Sequence, residues 1–249
     1  MKTVIFQNDI IWHDPAANRE RMRAEVSAAP RADLYVFPEM CSTGFTMDSS
    51  AAEQDPSETL ALMRELAAEK DAAVAGSIAL KEGEKLRNRF YFVFPDGSCE
   101  FYDKHHLFTY SSEDRTYEAG NEKLTVEWRG LRIRLIVCYD LRFPSWCRCN
   151  DDYDVLLCVA SWPSPRRFAW DTLLAARAIE NQCYVCAANR VGTDPKCIYN
   201  GGSAVYGPFG ELLAKADDGK ECYIEAELEP RTINEARRNF PALKDRDIL

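Results

Sequence analysis

Short apolar runs alternate along the chain with segments whose apolar residues recur at helical spacing. The apolar runs have the length of buried strands and occupy residues 3–6, 33–37, 72–78, 131–137, 155–160 and 184–188. Asp14-Pro15 predicts a helix to about residue 29, because Asp caps free amides and Pro fits the first helical position. Asp55-Pro56 repeats this signal before an amphipathic segment. Another helix is predicted over 166–181.

Turn signals add antiparallel pairs to this pattern. Asp96-Gly97 separates strand-like residues 89–94 from 99–102, and Arg129-Gly130 separates 124–128 from 131–137. Later strands are predicted over 203–206, 212–216 and 222–228, then a short helix after Glu229-Pro230 and an extended tail over 241–249. Strands alternating with helices predict a layered α/β fold in which helices cover sheets. No repeat or linker interrupts the sequence, so one domain is expected over 1–249.

Composition and charge narrow the function classes. The 249 residues carry 31 Lys plus Arg against 40 Asp plus Glu, a net charge of −9. Because no basic cluster stands out, nucleic acid is not an expected partner. No apolar run approaches the roughly 20 residues of a membrane span, and the first residues lack a signal-peptide core, so a cytoplasmic location without membrane association is expected.

The ten cysteines are scattered, and several lie inside apolar runs. Such thiols are typical of reduced core residues rather than disulfides. Cys147 and Cys149 form the closest pair, but their one-residue spacing is not that of a zinc knuckle. The sequence therefore predicts no metal site.

Three residues whose side chains could act in catalysis directly follow strand-like segments. Glu39 comes after LYVF-Pro, Lys104 after EFYD, and Cys138 after LIV. Side chains at strand ends can point into a crevice. Taken singly, each also fits a structural role, because most charged residues lie at the surface and most free cysteines are buried packing residues.

Their surroundings resemble the nitrilase superfamily. The segments FPEM (37–40), YDKHHLF (102–108) and VCYDLRFP (137–144) occur in that order, and the resemblance continues through ASWPSPR (160–166) and ARAIENQCYV (176–185). It implies a four-layer αββα sandwich, a carbon–nitrogen hydrolase with a Glu, Lys and Cys catalytic set, a homodimer and no cofactor.

Amide hydrolysis needs a nucleophile, a proton carrier and a donor for the oxyanion. The resemblance implies that Cys138 is the nucleophile, Glu39 the base and Lys104 the cation facing the oxyanion. By its position after Cys138, the N–H of Tyr139 is a candidate second donor. The superfamily also has a second glutamate after the lysine, for which Glu113 is the candidate and Glu118 the alternative.

Within the superfamily, CSTGF (41–45), CYDLRFPSWCR (138–148) and ASWPSPRR (160–167) resemble the omega-amidases. This implies a small-molecule substrate, the terminal amide of 2-oxoglutaramate or 2-oxosuccinamate. Phe45 and Trp162, in these stretches, are candidate substrate-binding residues. The protein is acidic, so an anionic substrate needs a local cation, and Arg166 after WPSP is the candidate because its planar fork suits a carboxylate. A structural role for Arg166 at the start of an exposed helix is the alternative.

Other functions stay open at this stage. Hydrolysis of carbamoyl compounds, nitriles or aliphatic amides would use the same three residues, and a silent binding subunit would keep the fold. His105 or His106 could in principle serve Cys138 in a Cys-His protease, but both adjoin Lys104, and His106 is better explained as a structural hydrogen-bonding residue. His13 is the one other histidine, which disfavours protease chemistry. A nucleophilic thiol at Cys138 could also act in redox sensing. For the implied homodimer, the interface is expected at helix residues 176–182 and the tail from Pro241, although plain core packing explains the same apolar positions.

Overall fold

A computed structural model of the chain describes residues 1–247. Its strands, in chain order, are β1 (Lys2–Gln7), β2 (Leu34–Val36), β3 (Glu53–Gln54), β4 (Ala73–Glu82), β5 (Lys85–Val93), β6 (Cys99–Asp103), β7 (Thr125–Trp128), β8 (Leu131–Val137), β9 (Val155–Ala160), β10 (Tyr184–Asn189), β11 (Val191–Thr193), β12 (Ile198–Asn200), β13 (Ala204–Tyr206), β14 (Leu212–Lys215) and β15 (Cys222–Glu227). The α-helices are α1 (Pro15–Ala28), α2 (Glu58–Lys70), α3 (Pro144–Cys147), α4 (Arg167–Asn181) and α5 (Pro230–Asn239). The predicted apolar strands and both predicted hairpins are confirmed, whereas the short pair β11–β12 was not predicted.

Two mixed sheets carry the fold. In the first, the order is β15-β1-β2-β4-β5-β6, with β3 also paired to β4, and in the second it is β14-β13-β10-β9-β8-β7. The central neighbours of each sheet are parallel, and the hairpins add antiparallel strands at the edges. This is the mixture that the alternation of strands, helices and turns predicts.

Helices cover the outer faces while the inner faces of the sheets pack together. The central core joins Val36 and Phe92 of the first sheet to Val137 and Val159 of the second. Helices α1 and α2 bury their apolar sides on the first sheet, and α4 buries Trp170, Leu174 and Ala178 on the second. The α–β–β–α order of layers confirms the predicted sandwich.

Helix starts follow capping chemistry, with one correction. The carboxylate of Asp14 accepts a hydrogen bond from the amide of Ala17 at 3.0 Å, as expected of an N-cap. The second helix was predicted to start at Asp55-Pro56, but it begins at Glu58, and the hydroxyl of Ser57 caps it by accepting from Leu60 N at 3.0 Å. The predicted apolar stripe of α2 is buried as expected.

The C-terminal segment also differs from expectation. It was predicted to be extended, but Ala242–Asp245 forms a 3₁₀ turn. Leu243 is buried against the α4 side of the second sheet, which draws this segment onto the protein. Residues 248 and 249 of the predicted tail lie outside the described residues. Within residues 1–247, no helix is both long and apolar enough to cross a membrane.

Candidate active site

Polar side chains from both sheets meet where several strands end. Glu39 follows β2 and Lys104 follows β6 in the first sheet, whereas Cys138 follows β8 in the second. Strands β8 and β9 are parallel, with Val137 beside Val159, so Cys138 and Ser161 leave the same edge. The fold thus brings residues that lie far apart in sequence together at one edge of the sandwich.

Lys104 lies between two glutamates. Its Nζ is 2.9 Å from Oε1 of Glu39, and 3.0 and 2.9 Å from Oε1 and Oε2 of Glu113. All three side chains are fully buried. Glu118, the alternative second glutamate, is exposed and pairs with Arg87 and Lys85 instead. The geometry therefore favours Glu113 over Glu118 as the partner of Lys104.

Further donors hold the two carboxylates. Oε2 of Glu39 accepts from the amide of Ser161 at 2.8 Å, and Oε2 of Glu113 accepts from the amide of Phe108 at 2.6 Å. The side-chain amide of Asn88 donates to Oε1 of Glu39 at 2.7 Å and to Oε1 of Glu113 at 3.2 Å. Hydrogen bonds to the ionised form of a buried acid favour that form.

The pKa values in the cluster follow from burial and charge. Burial alone would lower the pKa of Lys104, but the carboxylates of Glu113 and Glu39 outweigh it, so this pKa lies well above its usual value. Burial raises the pKa of Glu113, with Lys104 opposing this and Glu39 adding to it. Burial and the Glu39 carboxylate raise the pKa of Cys138 well above that of a free thiol, against the opposing charge of Lys104. The resting thiol is therefore protonated at neutral pH and needs a base.

Cys138 stands on a sharp turn. Its φ is +47°, in the left-handed region that a non-glycine residue adopts only at a cost, and it begins the 3₁₀ turn Cys138–Arg142. Tyr139 is the second residue of this turn. Because the first amides of a helical turn lack an acceptor within the turn, the amide of Tyr139 is available to a ligand.

Asp140 ties this turn to the segment that carries Lys104. Its carboxylate accepts from the amide of Val137 at 3.0 Å and from the hydroxyl of Tyr102 at 2.7 Å. It also contacts His106, at 2.8 Å from the backbone nitrogen and 2.9 Å from Nδ1. The predicted structural hydrogen-bonding role of His106 agrees with these contacts.

A cavity of about 530 Å³ opens over Cys138 and Lys104. Among the predicted substrate-binding residues, Phe45, Tyr139, Trp162 and Arg166 all line it. The ring of Phe45 has its centroid 5.3 Å from Nζ of Lys104, and the indole nitrogen of Trp162 donates to the carbonyl of Arg166 at 2.8 Å. Glu39 and Glu113 are fully buried and are not among the residues that line the cavity.

Comparison with known proteins identifies the family. Residues 3–238 match the family model described as carbon-nitrogen hydrolase. The chain belongs to the carbon–nitrogen hydrolase family. It is 43% identical over 248 residues to the omega-amidase YafV of Escherichia coli K12, covering 99% of this chain and 97% of that relative.

Two further similarities agree with this assignment. The hydrolase is 32% identical to the 2-oxoglutaramate amidase of Bacillus subtilis, over 96% of this chain and 95% of the relative. It matches the crystal structure of XC1258 from Xanthomonas campestris, a CN-hydrolase superfamily protein, with a TM-score of 0.95 and 40% identity, covering 100% of this chain and 98% of the other. These findings confirm the predicted superfamily, its omega-amidase-like branch, the fold class and the enzyme class.

Two arginines of the hydrolase face the cavity. The guanidinium of Arg166 lies 5.1 Å from the ring centroid of Phe108 and 5.8 Å from that of Tyr110, and Arg142 lies 4.7 Å from the ring centroid of Trp162. Within residues 1–247, neither arginine has a carboxylate partner. The neighbouring Arg167, by contrast, pairs with Asp171 and Asp218 at 2.8 and 3.0 Å.

Sequence reasoning missed several residues of this site. Asn88 lies on β5 between Arg87 and Arg89, just before the strand-like residues 89–94, so nothing in this polar stretch singled it out. Arg142 and Asp140 lie in the CYDLRFP segment, but nothing in their spacing indicates which one faces the cavity. Trp12 and His13 also line the cavity, and they come from the loop after β1, where no sequence signal predicted a role.

Proposed function

We propose that this carbon–nitrogen hydrolase releases ammonia from the terminal amide of a 2-oxo dicarboxylic acid, 2-oxoglutaramate or 2-oxosuccinamate. The buried Glu39–Lys104–Glu113 cluster behind Cys138 carries the proposal of amide chemistry. The names of its relatives support the substrate class. Arg142 and Arg166 in the cavity wall have no carboxylate partner within residues 1–247, and they support an anionic substrate, because an acidic protein offers such a molecule no favourable long-range field.

The proposed reaction begins at Cys138. Glu39 takes the thiol proton while the sulfur bonds to the amide carbon, and the oxygen becomes an oxyanion that faces Lys104 and the N–H of Tyr139. Glu39 then gives its proton to the amide nitrogen, and the carbon–nitrogen bond breaks. Ammonia departs, and the acyl group remains bound to Cys138 as a thioester. A water molecule attacks the thioester with Glu39 again as base, which frees the carboxylate product and restores the thiol.

Lys104 and Glu113 have distinct proposed roles. The raised pKa of Lys104 keeps it cationic throughout, so it is an oxyanion donor and not a proton carrier. Glu113 accepts from Lys104 through both oxygens and positions the ammonium. No cofactor enters any step of this scheme.

Substrate class is tested by ammonia release. The purified protein is offered 2-oxoglutaramate, 2-oxosuccinamate, a neutral amide of similar length, an aliphatic nitrile and an N-carbamoyl amino acid. We expect kcat/KM to be highest for the two omega-amides. A higher value for the nitrile or the carbamoyl compound would assign another reaction of the family. Turnover of none of them would favour a binding role.

We also propose that the protein is a cytoplasmic homodimer. Its free cysteines suit a reducing compartment. In helix residues 176–182, the half-exposed Ile179 lies close to Gly210, whose chain neighbour Phe209 is exposed, as is Leu212 of the edge strand β14. Such neighbouring apolar side chains suit a self-complementary contact. Arg177, Ala178 and Asn181 instead pack within the protomer.

Light scattering tests the assembly. The wild-type chain is expected at twice its monomer mass, and Ile179→Glu is expected to shift the mass towards one copy. Deleting residues from 241 onward tests whether the tail contributes to the dimer interface. Leu243 in this tail also contributes to the core of its own protomer. A wild-type mass of one copy would contradict the dimer.

A further inference from the structure

Asn88 bridges the two buried glutamates. It lies on β5, paired with Ala79 of β4, and only 1% of it is exposed. Its Nδ2 donates to Oε1 of Glu39 at 2.7 Å and to Oε1 of Glu113 at 3.2 Å. The same two oxygens accept from Nζ of Lys104 at 2.9 and 3.0 Å. Two donors thus share one pair of acceptors.

Charge explains the orientation of the Asn88 amide. Its Oδ1 is buried and has no hydrogen-bond partner within residues 1–247. Turning the amide over would place this oxygen against two carboxylates and remove one donor from each of them. A buried polar atom without a partner costs about 1–3 kcal/mol. The two hydrogen bonds that Nδ2 makes to the carboxylates compensate this cost at Oδ1.

The backbone of Asn88 holds the third member of the cluster. Its carbonyl accepts from the amide of Lys104 at 3.0 Å, at the point where β6 ends. One residue therefore contacts Glu39 and Glu113 through its side chain and Lys104 through its main chain. A change of side chain leaves the main-chain contact in place, so the two contributions can be separated.

Two like charges in one buried site normally retain a proton between them. Glu39 and Glu113 face one cation, Lys104, and the other titratable side chains that interact with them are the thiols of Cys138 and Cys158 and the phenol of Tyr117. None of these neutral groups compensates a second negative charge. Within residues 1–247, the amide of Asn88 is the remaining side-chain donor to the two carboxylates.

We propose that Asn88 is a positioning residue for the hydrolase reaction, whose side-chain amide donates to the carboxylates of Glu39 and Glu113 and aligns them so that Glu39 can accept the proton of Cys138. This inference rests on the proposed roles of Glu39, Lys104 and Cys138. It predicts a change in pH dependence, which a residue that only fills space would not produce.

The test compares Asn88→Leu, which keeps the approximate shape, with Asn88→Ser, which keeps one shorter donor. Asn181→Leu is the matched control, since Asn181 is also a buried, hydrogen-bonded asparagine but lies on α4. The kcat/KM for 2-oxoglutaramate is measured across pH. For Asn88→Leu we expect kcat/KM at pH 7 to fall at least about tenfold. The acidic side of its kcat/KM–pH profile should move about one pH unit higher, and the profile of Asn88→Ser should lie between those of Asn88→Leu and wild type. Asn181→Leu should lower the melting temperature but leave the acidic side of the kcat/KM–pH profile unchanged.

A second measurement does not depend on the substrate. The rate at which iodoacetamide alkylates Cys138 is followed across pH by peptide mass spectrometry, and its pH dependence should differ from that of wild type in the Asn88 variants, because the thiol responds to the charge of Glu39. If wild-type protein hydrolyses no amide, the proposed function fails, while these alkylation profiles still test Asn88. The inference is overturned if both profiles keep the wild-type pH dependence, or if Asn181→Leu moves them equally. If Asn88→Leu does not fold, Asn88→Ser decides by the same criteria.

Discussion

The ammonium nitrogen of Lys104 lies 2.9 Å from Oε1 of Glu39, and neither side chain is exposed to solvent. Two desolvated charges regain in mutual attraction roughly what they lose in hydration, so such a pair is a weak source of stability. Removing one member still costs about 3–5 kcal/mol, because the other is left buried without compensation. The pair is therefore better explained by chemistry than by stability.

The first prediction is that Cys138 is required for turnover. Cys138→Ala removes the sulfur that forms the thioester, so ammonia release should fall below a few per cent of wild type, with the fold intact by circular dichroism. Cys99→Ala, at a partly exposed thiol outside the cavity, serves as the control and should remain active. Substantial turnover by Cys138→Ala would exclude the covalent route.

Glu39 and Lys104 should act with Cys138 as one unit. Glu39→Gln and Lys104→Ala are each expected to be nearly inactive, and adding Cys138→Ala to either should cause little further loss. The assays are run below the unfolding temperature of each variant, because Lys104→Ala leaves two buried carboxylates without their cation. Losses that multiply in the double variants would mean that the residues act independently.

Glu113 and Glu118 should differ sharply. Glu113→Gln removes a buried partner of Lys104. It should lower kcat at least about a hundredfold, because the removal of one preorganised group from an active site typically lowers kcat by about that factor. Glu118 makes only exposed ion pairs, which contribute about 0–1 kcal/mol, so Glu118→Gln should leave kcat within about twofold. The reverse order of effects would identify Glu118 as the functional glutamate.

Arg166 is expected to bind the carboxylate of the substrate. A hydrogen bond to a charged group contributes about 1.5–3 kcal/mol, so Arg166→Ala should lower kcat/KM for 2-oxoglutaramate at least about tenfold. A neutral amide of similar length should lose far less. Arg167→Ala is the control, because Arg167 is already paired with Asp171 and Asp218. Equal losses for both substrates would rule out Arg166 as the carboxylate site, and a selective loss in Arg142→Ala would place that site at Arg142.

The fifth prediction concerns stability and pH. Burial raises the pKa of Glu25 to about 7, against the opposing effects of Arg21 and Asn8. Because the folded state prefers the protonated acid, its contribution to stability is fully present below the unfolded pKa of about 4.3 and is lost as pH rises through 7. Glu25→Gln should therefore melt at a higher temperature than wild type at pH 8. At pH 4 the two should melt alike, and a gap that is the same at both pH values would contradict the shift.

The apolar pattern was sufficient for the strands, the hairpins and most helix ends, because burial of side chains at regular spacing is a local property of the chain. The position of Glu39, Lys104 and Cys138 at strand ends, together with the family resemblance of the motifs around them, singled out these three residues. The start of α2 was misplaced because Ser57 competes with Asp55 as a cap, and sequence alone does not decide between neighbouring caps. The tail was misjudged because Leu243 packs on residues distant in sequence.

Only the tertiary structure decided what surrounds the three residues. Glu113 and Glu118 are five positions apart in one polar loop, and the path of that loop buries the first beside Lys104 and leaves the second in solvent. Asn88 becomes a partner of both glutamates because β5 lies between β4 and β6, an arrangement that depends on sheet order. Which chemical groups occur at strand ends is a property of the sequence. Their distances and charges depend on how two sheets meet, which is set by packing between segments far apart in the chain.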